Sequence, residues 1–229
     1  MNRWNGKEKT LELMKRRHSV RQYFRKKIEE EKRKELNALA DTLNRQSGLH
    51  MQVIYDEPDC YESMKAHYGK IYGVSNYIAL VGKKGPELDD KAGYYGEQMV
   101  LKAQELGLNT CWTALTHGKT RAQIGSDEKL VCVIALGYGA NQGKPHKSRP
   151  VSQVCNWSDD YPEWVKTGIE AALLAPTAIN QQKFYFTIEN GSVSARVKGF
   201  GFCSQIDLGI VKYHFEAVTG RKDSSAGRE

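Results

Sequence analysis

FYFTIENGSVSARV, residues 184–197, decides the fold class. Phe184, Phe186 and Ile188 alternate with polar neighbours, and Val193, Ala195 and Val197 do the same after a break. Period-two alternation places each set on one face of a strand. Asn190-Gly191 between them suits a tight primed turn, so the stretch reads as a β-hairpin. A hairpin argues against a sheet built only from parallel crossovers.

Upstream of the hairpin the pattern is mixed. Ile28–Gln46 reads as a helix with Leu36, Leu39, Ala40 and Leu43 on one stripe and Gly48 as its stop. His50–Asp56 alternates as a strand, and Pro58–Ser75 reads as a loop with one short helix. Asn76–Gly82 (NYIALVG) and Leu130–Gly137 (LVCVIALG) are apolar runs expected as buried strands. Between them, Asp90–Leu106 is expected as a helix ended by Gly107, and Asn109–Thr113 as a short strand or crossover. Pro162–Ala175 is expected as a helix stopped by Pro176. Asp207 is expected to cap a last helix carrying Leu208, Val211, Phe215 and Val218 on one face. Helices and strands mix without strict βαβ order, which gives an α+β class. No Pro- or Ser-rich linker divides the chain, so residues 1–229 are expected as one domain, with a polar tail from about 222. GYYGEQMVLKA and DLGIVKYHFEA echo each other, too faintly to define a repeat.

The chain has 229 residues, 40% of them hydrophobic, enough for a sizeable core. No apolar stretch reaches membrane-spanning length. The first 17 residues lack the apolar run and cleavage site of a signal peptide. The cysteine count is odd, and the nearest two, Cys111 and Cys132, are 21 residues apart (132 − 111). That spacing suits neither a disulfide framework nor a zinc site, and a reducing cytoplasm is expected. Net charge is +7, and Lys15–Lys27 holds seven Lys and Arg with no acid.

Within that run stands Arg17-His18-Ser19-Val20-Arg21, and far away stands Lys147-Ser148-Arg149. In extended backbone Arg17, Ser19 and Arg21 share a face, as do Lys147 and Arg149. If the two strings meet, four cations and a hydroxyl suit a phosphate dianion. Other phosphate and metal signatures fail. Gly118-Lys119-Thr120 ends like a P-loop, but Thr113 stands where the first glycine belongs. In Gly137-Tyr138-Gly139 the next glycine, Gly143, comes one residue late for a dinucleotide fingerprint. There is no HExxH, CxxC or GxSxG, and the six histidines show no metal-ligand spacing.

RRHSVRQY resembles the opening flavin-phosphate motif of the FMN-dependent nitroreductase family. LGLNTCW (106–112) is similar to that family's segment beside the isoalloxazine ring, HKSR (146–149) to its distal phosphate pair, and APTAINQQ (175–182) to its Pro-Ser-x-x-Asn-x-Gln motif. The resemblance implies a central, mostly antiparallel sheet between helical layers. It implies FMN held by Arg17, Ser19, Arg21, Lys147, Arg149 and Asn180, with the backbone of Trp112, Thr113, Ala114 and Leu115 along the ring. It also implies NADH or NADPH as electron donor and a nitroaromatic, quinone or similar small molecule as acceptor. No catalytic acid or base is implied. The Asn-bearing motif stands far later than is usual in the family, and Lys183-Phe184 replaces its Pro-Trp. This departure raises two assemblies, a homodimer or a pseudo-dimeric monomer in which one chain completes the site. The alternatives are a non-catalytic FMN-binding sensor or storage protein and a basic nucleic-acid-binding module. The last lacks a stacking-aromatic pattern, so neither nucleic acid nor membrane is an expected partner.

Overall fold

A computed structural model describes residues 6–222. Beyond Lys222, the expected polar tail lies outside the described residues. The elements run α1 (Gly6–Arg16), β1 (Tyr23–Phe24), α2 (Glu30–Ser47), β2 (Gln52–Ile54), α3 (Met64–Tyr68), β3 (Asn76–Lys83), α4 (Leu88–Glu105), β4 (Asn109–Thr113), β5 (Glu128–Gly139), α5 (Glu163–Leu173), β6 (Phe184–Glu189), β7 (Ser192–Val197) and α6 (Ser204–Thr219). Short 3-10 turns stand at Val151–Gln153 and Ala178–Asn180. Among the described residues no helix is long and apolar enough to cross a membrane.

The fold is α+β, with β5 at the centre of a five-stranded antiparallel sheet. It pairs along its length with β3, opposite that with β4 (Trp112 against Ile134), and at its end with β1 (Tyr23 against Gly139); β2 extends the sheet beyond β3. Because both faces of β3 and β5 are covered, these strands read as apolar runs instead of alternating. One face presents Ile78, Leu80, Cys132, Ile134 and Leu136 to the helical layer. The other presents Tyr77, Ala79, Val81, Val133 and Ala135 to Cys60, Tyr61, Ala66 and Ile71, a layer whose regular part is α3. The hairpin β6–β7 forms a sheet of its own and packs on α6, with the Phe186 and Phe215 rings 5.2 Å apart. Asn190 and Gly191 both have positive φ (51° and 75°), as a primed turn requires.

The helical layer is organised by α4 and α6. A Cβ built on Gly93 would lie 2.0 Å from the Ile206 carbonyl oxygen; one on Gly209 would lie 2.0 Å from that of Asp90. The two contacts are reciprocal, since each glycine meets the carbonyl three residues before the other. The contact therefore has a local two-fold character. Helix α1, which the sequence does not announce, buries Met14 with Leu101, Ala171 and Val218.

One expectation is corrected. Asp207 does not cap the last helix: α6 starts at Ser204, with Cys203 before it in the left-handed region (φ 58°). Asp207 is buried inside the first turn, where its carboxylate binds another segment.

Candidate active site

After α1 closes at Arg17, the chain at Ser19 and Val20 runs beside β4. Ser19 bridges Thr110, and the Val20 N–H donates to the Thr110 carbonyl at 3.0 Å. After β5, the Gly-rich segment turns back over this string: the Ala140 N–H donates to Gln22 O, and a Cβ on Gly143 would meet His18 and the Ser19 carbonyl. The segment then docks on the end of α5, where His146 Nε2 and Ser148 Oγ both bond to Leu173 O. Burial lowers the pKa of His146, and the positive charges of Arg17 and His18 lower it further. His146, at the head of the second string, is thus within electrostatic reach of Arg17 and His18 of the first.

The loop after α5 locks the second string. The Asn180 side-chain amide donates to Lys147 O at 3.0 Å, and that of Gln182 donates to the same oxygen at 2.9 Å. Gln182 Oε1 accepts the Arg149 N–H at 2.9 Å. Among the described residues, the side chains of Arg21, Lys147 and Arg149 form no ion pair or hydrogen bond, whereas Lys102, Lys129 and Arg33 elsewhere are paired with acids.

A cavity of about 940 Å³ opens beside these loops. Ser19 and Arg21 line one side, Trp112, Ala114 and Leu115 the wall, and Pro176 to Ile179 the other side. Asp207, Ile206 and Ile210 of α6 close the floor. The rim is apolar: Met64, Tyr68, Leu115, Ile179 and Phe202 are all exposed.

Five of the expected residues stand apart from the cavity lining: Lys147, Arg149 and Asn180 on the neighbouring loops, and Thr113 and Arg17 in the interior. Thr113 is buried, its hydroxyl donating to Val133 O and bonded to Tyr61. Arg17, 4% exposed, turns away from Ser19 and Arg21 toward the core. Its Nε lies 3.8 Å from Glu97 Oε1 and has no hydrogen-bond partner. Desolvation pulls its guanidinium below the ordinary arginine value, against the attraction of Glu97. Fully buried Glu97 also accepts from Trp112 Nε1 at 3.0 Å and meets His214 Nε2 at 3.1 Å. The other His214 nitrogen, Nδ1, faces the Ala171 carbonyl and must donate to it. This cluster ties the first basic string to the indole in the cavity wall. Sequence reasoning missed Glu97, His214 and Asp207; an acid in the middle of the otherwise apolar α4 face was the available signal.

Residues 9–219 match the protein family described as "Putative TM nitroreductase". The chain belongs to this nitroreductase family. Among solved structures, this nitroreductase-family chain is similar to a "putative nitroreductase" from Thermotoga maritima MSB8, at 20% identity and a TM-score of 0.67, covering 95% of this chain and 87% of that one. It is also similar to a "putative nitroreductase in complex with FMN" from Desulfovibrio desulfuricans, at 21% identity, TM-score 0.52, covering 67% and 98%. A third is a "putative NADH dehydrogenase/NAD(P)H nitroreductase" from Bacteroides thetaiotaomicron VPI-5482, at 19% identity, TM-score 0.50, covering 66% and 98%. At these identities the likeness is one of fold. The search of curated proteins returned no match.

Proposed function

We propose that this nitroreductase-family chain is an FMN-dependent oxidoreductase that takes hydride from NADH or NADPH and reduces a nitroaromatic, quinone or similar small acceptor. The observation that carries the reading is an apolar-walled cavity lined by Ser19 and Arg21, next to the lip whose Asn180 and Gln182 hold the loop of Lys147 and Arg149. Arginine and lysine side chains brought to such a site suit a ligand phosphate. The cavity volume falls in the range of cofactor sites.

The flavin, when bound, supplies the hydride chemistry. The chain's residues bind and orient it. Lys147 and Arg149 neutralise the phosphate, with their backbone fixed by Asn180 and Gln182. Arg21 and the Ser19 hydroxyl hold the same end. Backbone groups of Trp112 to Leu115 flank the ring, and Glu97 fixes the indole behind it. The apolar rim keeps water from the reacting face. No side chain is assigned as acid or base.

Purified protein is expected to be yellow and to release FMN on denaturation. Lys147→Ala with Arg149→Ala is expected to weaken FMN by about 100-fold, as loss of two charge-assisted contacts implies. Riboflavin, which lacks the phosphate, should lose little. Colourless protein that also rejects added FMN overturns the reading. If FMN binds but neither NADH nor NADPH bleaches it, the chain is a flavin binder and not an enzyme.

A further inference from the structure

We propose that Asp207 is a positioning residue whose charged carboxylate clamps the strained lip of the cavity to the last helix. The lip is the segment from Thr177 to Gln182. Three of its residues, Ile179, Asn180 and Gln182, have positive φ (47°, 56° and 45°) without being glycine. For a β-branched residue such as Ile179 this is a strained backbone. Ile179 is 95% exposed, so burial of its own side chain does not hold it there. Asp207 does so through both oxygens: Oδ1 accepts the Ala178 N–H at 2.9 Å and Oδ2 accepts the Gln181 side-chain amide at 2.7 Å. That same amide donates to Phe202 O at 2.7 Å, which joins the second part of the rim to the first. Asn180 and Gln182 then carry the lip's position to Lys147 and Arg149.

Asp207 is the only acid among the described residues that line the cavity. A carboxylate accepts at both oxygens, but a carboxylic acid turns one of them into a donor. Both partners here are donors, so protonation breaks one arm of the clamp. The surroundings put this event within reach, since burial raises the carboxyl to about 6 against the two hydrogen bonds. The titratable groups facing it are Cys203 at the start of its helix and Cys132 on β5. Beyond those thiols lies Asp89 of α4, itself paired with Lys129. The lip contributes only amides, so no cation holds the charge.

The consequence for the ligand rests on the FMN reading; the clamp itself does not. In flavin-free full-length protein, the Ala178 amide resonance followed by NMR from pH 4.5 to 7.5 is expected to shift in one step near pH 6. The step should vanish in Asp207→Asn. FMN affinity is expected to rise between pH 5 and 7.5 by on the order of tenfold more in the wild type than in Asp207→Asn, the factor for one charge-assisted hydrogen bond. The FMN phosphate also titrates near pH 6, but equally for both proteins, so their ratio isolates Asp207. An Ala178 amide that stays flat across the range and keeps the same shift in Asp207→Asn overturns the clamp. A normal amide step with identical FMN profiles overturns its link to the site. Failure of FMN to bind at any pH overturns the flavin reading, and the amide step then decides the clamp alone.

Discussion

Gly209→Ala sets two physical effects against each other. By helix propensity alone, alanine in place of glycine inside α6 should stabilise by about 1 kcal/mol. The crossing with α4 predicts the opposite. The new methyl would sit 2.0 Å from the Asp90 carbonyl oxygen and 2.7 Å from the Tyr94 nitrogen, both main-chain atoms with no rotamer to move. The helices must separate, and overpacking of this kind costs about 3 kcal/mol or more. The net loss is then about 2 kcal/mol, or roughly 4–8 °C in Tm for a chain of this size. Urea unfolding followed by far-UV circular dichroism reads it directly. Gly93→Ala should cost a similar amount, because its methyl meets Ile206 O at the same 2.0 Å. The double variant should cost less than the sum, since helices already pushed apart by one methyl accommodate the second. Unchanged or increased stability in either single variant would refute the close crossing, and strict additivity would refute its reciprocity.

Removing the buried acid with Glu97→Leu leaves Arg17 as an uncompensated interior cation and should cost about 3–5 kcal/mol in urea unfolding; a cost under 1 kcal/mol would mean that Arg17 does not depend on Glu97. Ile179→Gly should relieve the lip and stabilise by about 1 kcal/mol in a thermal melt, whereas a clear loss would show that the positive φ carries no strain. For Asp207 the folded-state value, about 6, lies above the unfolded value of 3.8. The folded state therefore holds the proton more tightly, and stability falls as pH rises from about 4 to 6, by up to about 3 kcal/mol. Asp207→Asn should lack that component, and a parallel pH profile of the two proteins in urea unfolding would contradict it.

The elements readable from sequence are those whose ends and periods agree. NYIALVG and LVCVIALG are strands because nothing polar interrupts them, and α2 stops where Gly48 takes φ 72°. The hairpin's turn chemistry was explicit, yet nothing in it revealed that it stands off the main sheet. Helix α1 was hidden because its apolar positions, Leu11, Leu13 and Met14, span barely one turn of a charged segment. The period-two reading fits Ser19 and Arg21, which both line the cavity, but Arg17 still closes the last turn of α1, its N–H bonded to Leu13 O. It failed for Arg17, because the acid that draws the guanidinium inward is 80 residues away (97 − 17) and no local signal marks it. Asp207 looked like a cap because Asp favours helix starts. Its true partners, Ala178 and Gln181, lie on a loop whose left-handed residues are Ile, Asn and Gln, with no glycine to betray the turn.

The α4–α6 crossing also sets the shape of the cavity. Ile206, Asp207 and Ile210 of α6 line it, and Trp112 of the same lining packs on Gly96 of α4, where an added Cβ would lie 2.7 Å from the indole. The spacing of the two helices, held by Gly93 and Gly209, is therefore also the spacing between two parts of the cavity lining. A methyl that parts the helices should change ligand affinity as well as stability, although neither glycine lines the cavity.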